Sequence, residues 1–537
     1  MVLDFPTFLA TFCFLFALLY LSWRSKIFHS FTKKKTLPPE VDGARPILGH
    51  LRLLGSGGIP LGRKLAAMAD KYGSVFTLRL GMYRILVVSS WEAVKDCFTT
   101  NDKVMAARPD FAVAKYLGYN YAVFSLDTDS PYWRKMRKFA VTELLSSQKL
   151  EKLRHLRVSE VETSLKELYM LITSSSSAKT VDMSEWFGQL TLNLIVKIVA
   201  GKRFKFKVKE DDDCDEYKEA QHIIEVFKEF MYLNGQFVFG DAFPFWIVRW
   251  VEFQRRVVKD MGRIMKELDT ILQRWLDEHV DARRKRSSAA NESGKNDHQD
   301  FIDVMLSMID DDFARGLAYP PEIIIKATGL SMIIDGSDTT AVHLTWLLSL
   351  IVNHPDAMKR IREDIDSKVG KERWVEDGDI KDMEYLQAAV KETLRLYPPL
   401  PTYAPHAATE DCKVGGYDIP KGTHLYVNAW KVHRDPRIWP EPERFMPERF
   451  LTAAQADAPW RNFEYIPFGG GRRSCIGNTY AMQVSHLTVA RLIQGFDFET
   501  PSEKPLDMSE GLGITLPRAT ALDVVITPRL PPSFYGL

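Results

Sequence analysis

Apolar side chains return every three or four positions through residues 148–172, 247–280, 321–353 and 357–369, the repeat of helices with one face turned to a core. Prolines and glycines punctuate these stretches. A different rhythm governs 75–80 and 84–88, where two β-prone runs flank Gly81-Met82-Tyr83 and predict a hairpin. The C-terminal part is rich in proline, glycine and short β-prone pieces. Together the pattern predicts a mainly α protein with a smaller β-rich region. No internal repeat is visible, and RRKRSSAANESGKNDHQD at 283–300 reads as a solvated loop between helices.

The first stretch obeys neither rhythm. Residues 5–23 (FPTFLATFCFLFALLYLSW) carry no charge, and such a helix would span about 28 Å, close to the ~30 Å hydrocarbon core of a bilayer. Arg24, Lys26, Lys33, Lys34 and Lys35 follow, while only Asp4 precedes, so a single crossing would leave everything downstream in the cytosol. A cleaved secretory signal fits less well, because a basic n-region and an A-x-A-like site are both missing. Residues 25–50 are basic and proline-rich, with Pro38, Pro39, Gly43, Pro46 and Gly49 in place to stiffen a hinge or to act as a plain linker. No linker divides the chain beyond residue 50. The expected organisation is therefore an anchor at 1–24, a hinge at 25–50 and one catalytic unit at 51–537.

Composition narrows the function. The 71 basic and 70 acidic residues nearly cancel, which argues against nucleic acid as a partner. The five cysteines, at 13, 97, 214, 412 and 475, form no CxxC or Cys/His zinc spacing and read as free thiols in a reducing compartment. The sequon at Asn291 would face the cytosol and stay unmodified.

The decisive segment is Phe468-Gly469-Gly470-Gly471-Arg472-Arg473-Ser474-Cys475-Ile476-Gly477, which fits F-x-x-G-x-R-x-C-x-G at every fixed position. Chance would supply such a match on the order of once in ten thousand chains of this size. The glycines let the backbone turn closely beneath a flat cofactor and aim amide N–H groups at the sulfur. A phosphate loop is the alternative, but neither GxxxxGK[ST] nor GxGxxG after a strand is present.

This segment resembles the cysteine loop of cytochrome P-450, and the chain as a whole is similar to the membrane-bound, plant-type members. The resemblance implies the cytochrome P-450 fold and haem b ligated by Cys475, whose thiolate pushes electron density onto iron. It implies that Arg473 pairs with a haem propionate and that Phe468 shields the sulfur. Trp133 and Arg137 resemble the family's W-x-x-x-R pair that reaches the propionates, and their i,i+4 spacing puts them on one face. Arg134, Lys135 and Lys138 then either help dock an acidic redox partner or are simply solvated. Glu392, Arg395 and Arg449 resemble the family's buried structural cluster. His406 lies where relatives often place a propionate partner.

Asp335-Gly336-Ser337-Asp338-Thr339-Thr340 resembles the oxygen-activating helix, with Asp338 and Thr339 as the proton-relaying pair and Gly336 loosening the helix for water or oxygen. One position departs from the family: Asp335 stands where Ala or Gly is usual. One helical turn from Thr339, it is expected to face the substrate cavity. It is read as a contact for a cationic or hydroxylated substrate, as an ester link to haem, or as a disturbance of oxygen activation. The first reading is favoured because aspartate is one methylene shorter than the glutamate that forms such esters elsewhere.

The resemblance further implies a monooxygenase acting on a lipophilic small molecule, with pocket walls drawn from 105–124, 330–340, 400–406 and 513–516. No flavin or nicotinamide fingerprint appears, so electrons are expected from NADPH through a membrane-anchored reductase, at the endoplasmic reticulum. A reductase-independent isomerase or dehydratase, and a non-catalytic gas-binding haem protein, are the competing readings.

Overall fold

The computed structural model describes residues 35–55, 57–174, 180–205, 215–243, 256–288, 300–451, 462–502 and 504–536. The expected anchor at 1–24 lies outside them, and among the described residues no helix is long and apolar enough to cross a membrane.

A hairpin opens the first sheet. Strands β1 (Val75–Leu80) and β2 (Tyr83–Val88) pair antiparallel from Val75↔Val88 to Leu80↔Tyr83. Tyr83 thus begins β2, and the turn is the two residues Gly81-Met82, one fewer than the hydrophobic pattern indicated. Far later in the chain, β4 (His406–Ala407) and β5 (His424–Val427) complete the order β1-β2-β5-β4, with β5 parallel to β2. From Pro39 the chain is stitched to this sheet: Thr77 N donates to Pro39 O at 2.8 Å and Val41 N to Thr77 O at 3.1 Å. A second sheet joins β3 (Thr180–Asp182), β7 (Asp523–Pro528) and β6 (Phe496–Glu499) in the order β3-β7-β6.

Cys412–Val414 and Tyr417–Ile419 form a separate antiparallel pair, and the other regular elements are helices. Those that position the site are α1 (Pro131–Phe139), α2 (Arg154–Thr173), α3 (Met183–Ala200), α4 (Asp215–Asn234), α5 (Arg256–Ser288), α6 (Pro321–Asn353), α7 (Pro355–Lys368), α8 (Glu384–Leu396) and α9 (Asn478–Gly495). Local chemistry explains several boundaries. Ser130 caps α1 by accepting from Trp133 N, and Pro131 occupies the first turn, where its missing N–H costs nothing. Asp182 caps α3 and Gly201 ends it in the left-handed region at φ 62°. α6 starts on Pro321 and stops at His354, before Pro355.

Two predicted elements differ. The stretch 148–172 is broken at Leu153 (φ −87°, ψ 3°) into Ser147–Lys152 and α2. The loop predicted from residue 283 instead continues as helix to Ser288, as the last turns of α5; residues 289–299 lie outside the described part.

α6 is the axis of the core. It packs most extensively on α3 and also meets α8 and α9. Between Ile324 and Ile351 every residue of α6 is buried except 335–339. A helix buried all round belongs in a protein centre, so an accessible patch in its middle marks an internal cavity.

Candidate active site

The cysteine loop runs from Phe468 into the start of α9. Cys475 N donates to Phe468 O at 2.8 Å, closing the loop, and Gly477 N points at Cys475 Sγ from 3.3 Å. Gly471 has φ 64°, and a Cβ there would lie 2.2 Å from Asp102 Oδ1. Asp102 clamps the same turn, accepting from Arg472 N at 2.9 Å and pairing with Arg472 Nε at 3.2 Å. The ring of Phe468 packs on the cluster of Trp439, Phe450 and Tyr465. Burial pushes the Cys475 thiol up, Asp335 adds to that, and the Gly477 N–H and Arg137 oppose it.

Cys475 is enclosed by protein yet presents accessible surface, and so does Asp335. Cys475 feels the charge of Asp335. They stand on walls of one internal cavity, the loop forming one and α6 another.

A cationic edge borders that cavity. Arg473 stacks on Trp133, 4.1 Å from its ring centre, and donates to Ala106 O (2.8 Å) and Asp127 O (2.7 Å). Arg137 donates to Ser474 O at 2.7 Å. Arg108, which belongs to no motif of the sequence, donates to Ala404 O and Pro405 O at 2.6 and 2.9 Å. Burial, with mutual repulsion from Arg108, lowers Arg473 to about 9, and burial lowers Arg108 to about 10. Arg473 Nη1 and Arg108 Nε are buried without a hydrogen-bond partner, a rare condition for guanidinium N–H groups. His406 hydrogen-bonds through Nδ1 to the Met105 carbonyl at 2.7 Å, so Nδ1 carries the proton. Burial, then Arg108, hold the ring's pKa well below the usual range.

A thiol with an N–H aimed at it, under a cavity bordered by unsatisfied buried cations, fits an iron porphyrin bearing two carboxylates. Cys475 would ligate the metal, and Arg108, Arg137 and Arg473 would meet the carboxylates.

On α6, Thr339 Oγ1 donates to the Asp335 carbonyl at 2.8 Å. Asp338 hydrogen-bonds Thr515, and burial raises its pKa. The structure therefore does not join the Asp338 and Thr339 side chains directly. At Gly336 a Cβ would meet Ile195 of α3 at 3.3 Å, so its small size lets the two helices approach. Asp335 accepts from Ser331 Oγ at 2.9 Å. Away from the cavity, Glu392, Arg395 and Arg449 come together in the core. Arg395 Nε and Nη2 reach Glu392 at 2.7 and 2.8 Å, and Arg449 Nε reaches it at 3.3 Å.

Of the three surface cations on α1, Arg134 pairs with Asp129 at 2.8 Å. Lys135 turns inward to the Phe313 carbonyl and ring, leaving it poorly placed for docking.

The cytochrome P450 family model matches residues 38–522. The chain belongs to the cytochrome P450 family. Among similar proteins, nicotine N-demethylase of Nicotiana tomentosiformis is 48% identical over 98% of both chains. Vinorine hydroxylase of Rauvolfia serpentina is 47% identical over 96% of both, and xanthotoxin 5-hydroxylase of Arabidopsis thaliana is 44% identical over 94% of this chain and 96% of that one. A zebrafish cytochrome P450 structure with abiraterone superposes with a TM-score of 0.69 at 25% identity, covering 88% of this chain and all of that one. As a cytochrome P450, the chain is a haem-dependent monooxygenase of plant specialised metabolism.

Proposed function

We propose that this cytochrome P450 oxidises a lipophilic plant metabolite, most consistently an alkaloid, with electrons from NADPH delivered by a membrane-bound reductase. The observation that carries the reading is the shared cavity of Cys475 and residues 335–339 of α6. The named relatives act on nicotine, vinorine and xanthotoxin, two alkaloids among them. The uncharged stretch at 5–23, followed by a basic run, supports a single crossing of the endoplasmic reticulum with the catalytic body in the cytosol.

Bound at Cys475, haem supplies activation of dioxygen, one atom of which enters a C–H or C=C bond while the other leaves as water. Arg473, held on Trp133, and Arg108 and Arg137 orient the propionate edge, with His406 joining them only as imidazolium. Thr339 holds its hydroxyl at the cavity wall through the Asp335 carbonyl, and there it passes protons toward dioxygen. Asp338, whose carboxyl burial holds above the usual carboxylate range, is the neighbouring proton source.

NADPH consumption with added reductase, accompanied by product, tests this reading against an isomerase, which would turn over without electrons, and a gas-binding protein, which would form no product. Thr339 speaks against the isomerase. Thr339→Ala is expected to load haem normally but to divert most electrons to peroxide; unchanged coupling of NADPH to product would remove Thr339 from proton delivery.

A further inference from the structure

The two fully buried glutamates of this fold, Glu160 and Glu392, come with their own cations, and Asp335 does not. Glu160, fully buried, is met by Arg203 Nε at 2.9 Å and Lys197 Nζ at 3.2 Å. Glu392, equally buried, is met by Arg395 and Arg449. Asp335 has Ser331 Oγ at 2.9 Å and a second hydroxyl contact from Ser125, whose Oγ is 3.3 Å from Ser331 Oγ. Among the described residues no cationic side chain pairs with it at contact distance. Arg108 is near enough to be felt, but its Nη1 is spent on the Ala404 and Pro405 carbonyls. The α6 neighbours Met332, Ile333 and Ile334 are buried and apolar, and Asp335 is enclosed by protein while still presenting accessible surface.

Hydroxyl donors lower the cost of a carboxylate in such surroundings but bring no charge. A ligand that carries a positive nitrogen on an apolar body supplies what the site lacks, its body against the apolar wall and its N–H on the carboxylate. We infer that the Ser125–Ser331–Asp335 string is the specificity-determining contact for a protonated amine, and that this enzyme selects substrates with a basic nitrogen. The inference rests on the haem-thiolate reading and deepens it.

The test uses the full-length holoenzyme and two probes of one shape, N-methyl-4-phenylpiperidine and 1-methyl-4-phenylcyclohexane, titrated against the ferric haem spin state. The amine is expected to bind about ten-fold tighter than the hydrocarbon. Asp335→Asn should bring the ratio near one by weakening the amine alone. Equal binding in the unaltered enzyme, or a preference that survives Asp335→Asn, overturns the inference. Acid-acetone treatment should release all haem from the unaltered enzyme; haem left on the protein would assign Asp335 to an ester link instead. The ferrous-carbonyl spectrum of Asp335→Asn keeps the two readings apart, because a normal thiolate band alongside a lost amine preference, or a retained one, bears on Asp335 and not on Cys475.

Discussion

Cys475→Ser is expected to abolish the red-shifted ferrous-carbonyl band and reduce oxygenation to background, while the chain still folds. The backbone makes the loop: Cys475 N on Phe468 O and the left-handed turn at Gly471 are both indifferent to sulfur. Serine therefore preserves the shape and removes the donor. Its hydroxyl, in a cavity that already disfavours negative charge at this position, gives up its proton far less readily than a thiol. Electron release to iron falls with it. The carbonyl difference spectrum decides the matter, and a surviving red-shifted band would remove Cys475 as the ligand.

Arg395→Ala should cost about 3 to 5 kcal/mol, the usual penalty when a buried ion pair loses one partner. Arg395 donates twice to Glu392 and also to the carbonyls of His433 (2.8 Å), Pro442 (2.7 Å) and Arg444 (3.2 Å). One guanidinium thus ties α8 to the 433–449 segment that leads into the cysteine loop. Its removal strands Glu392 with Arg449 and the Met446 amide. The expected phenotype is a protein that unfolds at lower urea and fails to retain haem. Arg395→Lys should recover little, because an ammonium cannot reproduce the two-pronged contact. Wild-type haem retention in Arg395→Ala would show the cluster to be dispensable.

Local chemistry was legible wherever it was also sufficient. The bounds of α6 coincide with its apolar stretch because prolines set its start and close off its end. The hairpin and the cysteine loop were readable for a like reason: glycine and strand propensity act over a few residues. The break at Leu153 was not, since the apolar period runs through it unchanged. Contacts made across hundreds of positions left no local mark either, as with Arg108 against Ala404, or Asp102 against Gly471. Gly336 was expected to loosen the helix for water or oxygen, and its packing on Ile195 of α3 depends on where each residue points, successive residues on a helix diverging by roughly 100°. The separation of Asp338 from Thr339 follows from the same rotation.

The clamp of Asp102 on the Gly471 turn has a reach beyond stability. It holds the turn from which the chain runs on to Cys475 and the Gly477 amide, and that amide dipole would temper how much electron density a thiolate ligand gives away. The midpoint potential of an iron bound there would thereby depend in part on a side chain 370 positions upstream, where natural variation could retune the enzyme's willingness to be reduced while leaving every residue of the haem-binding loop untouched.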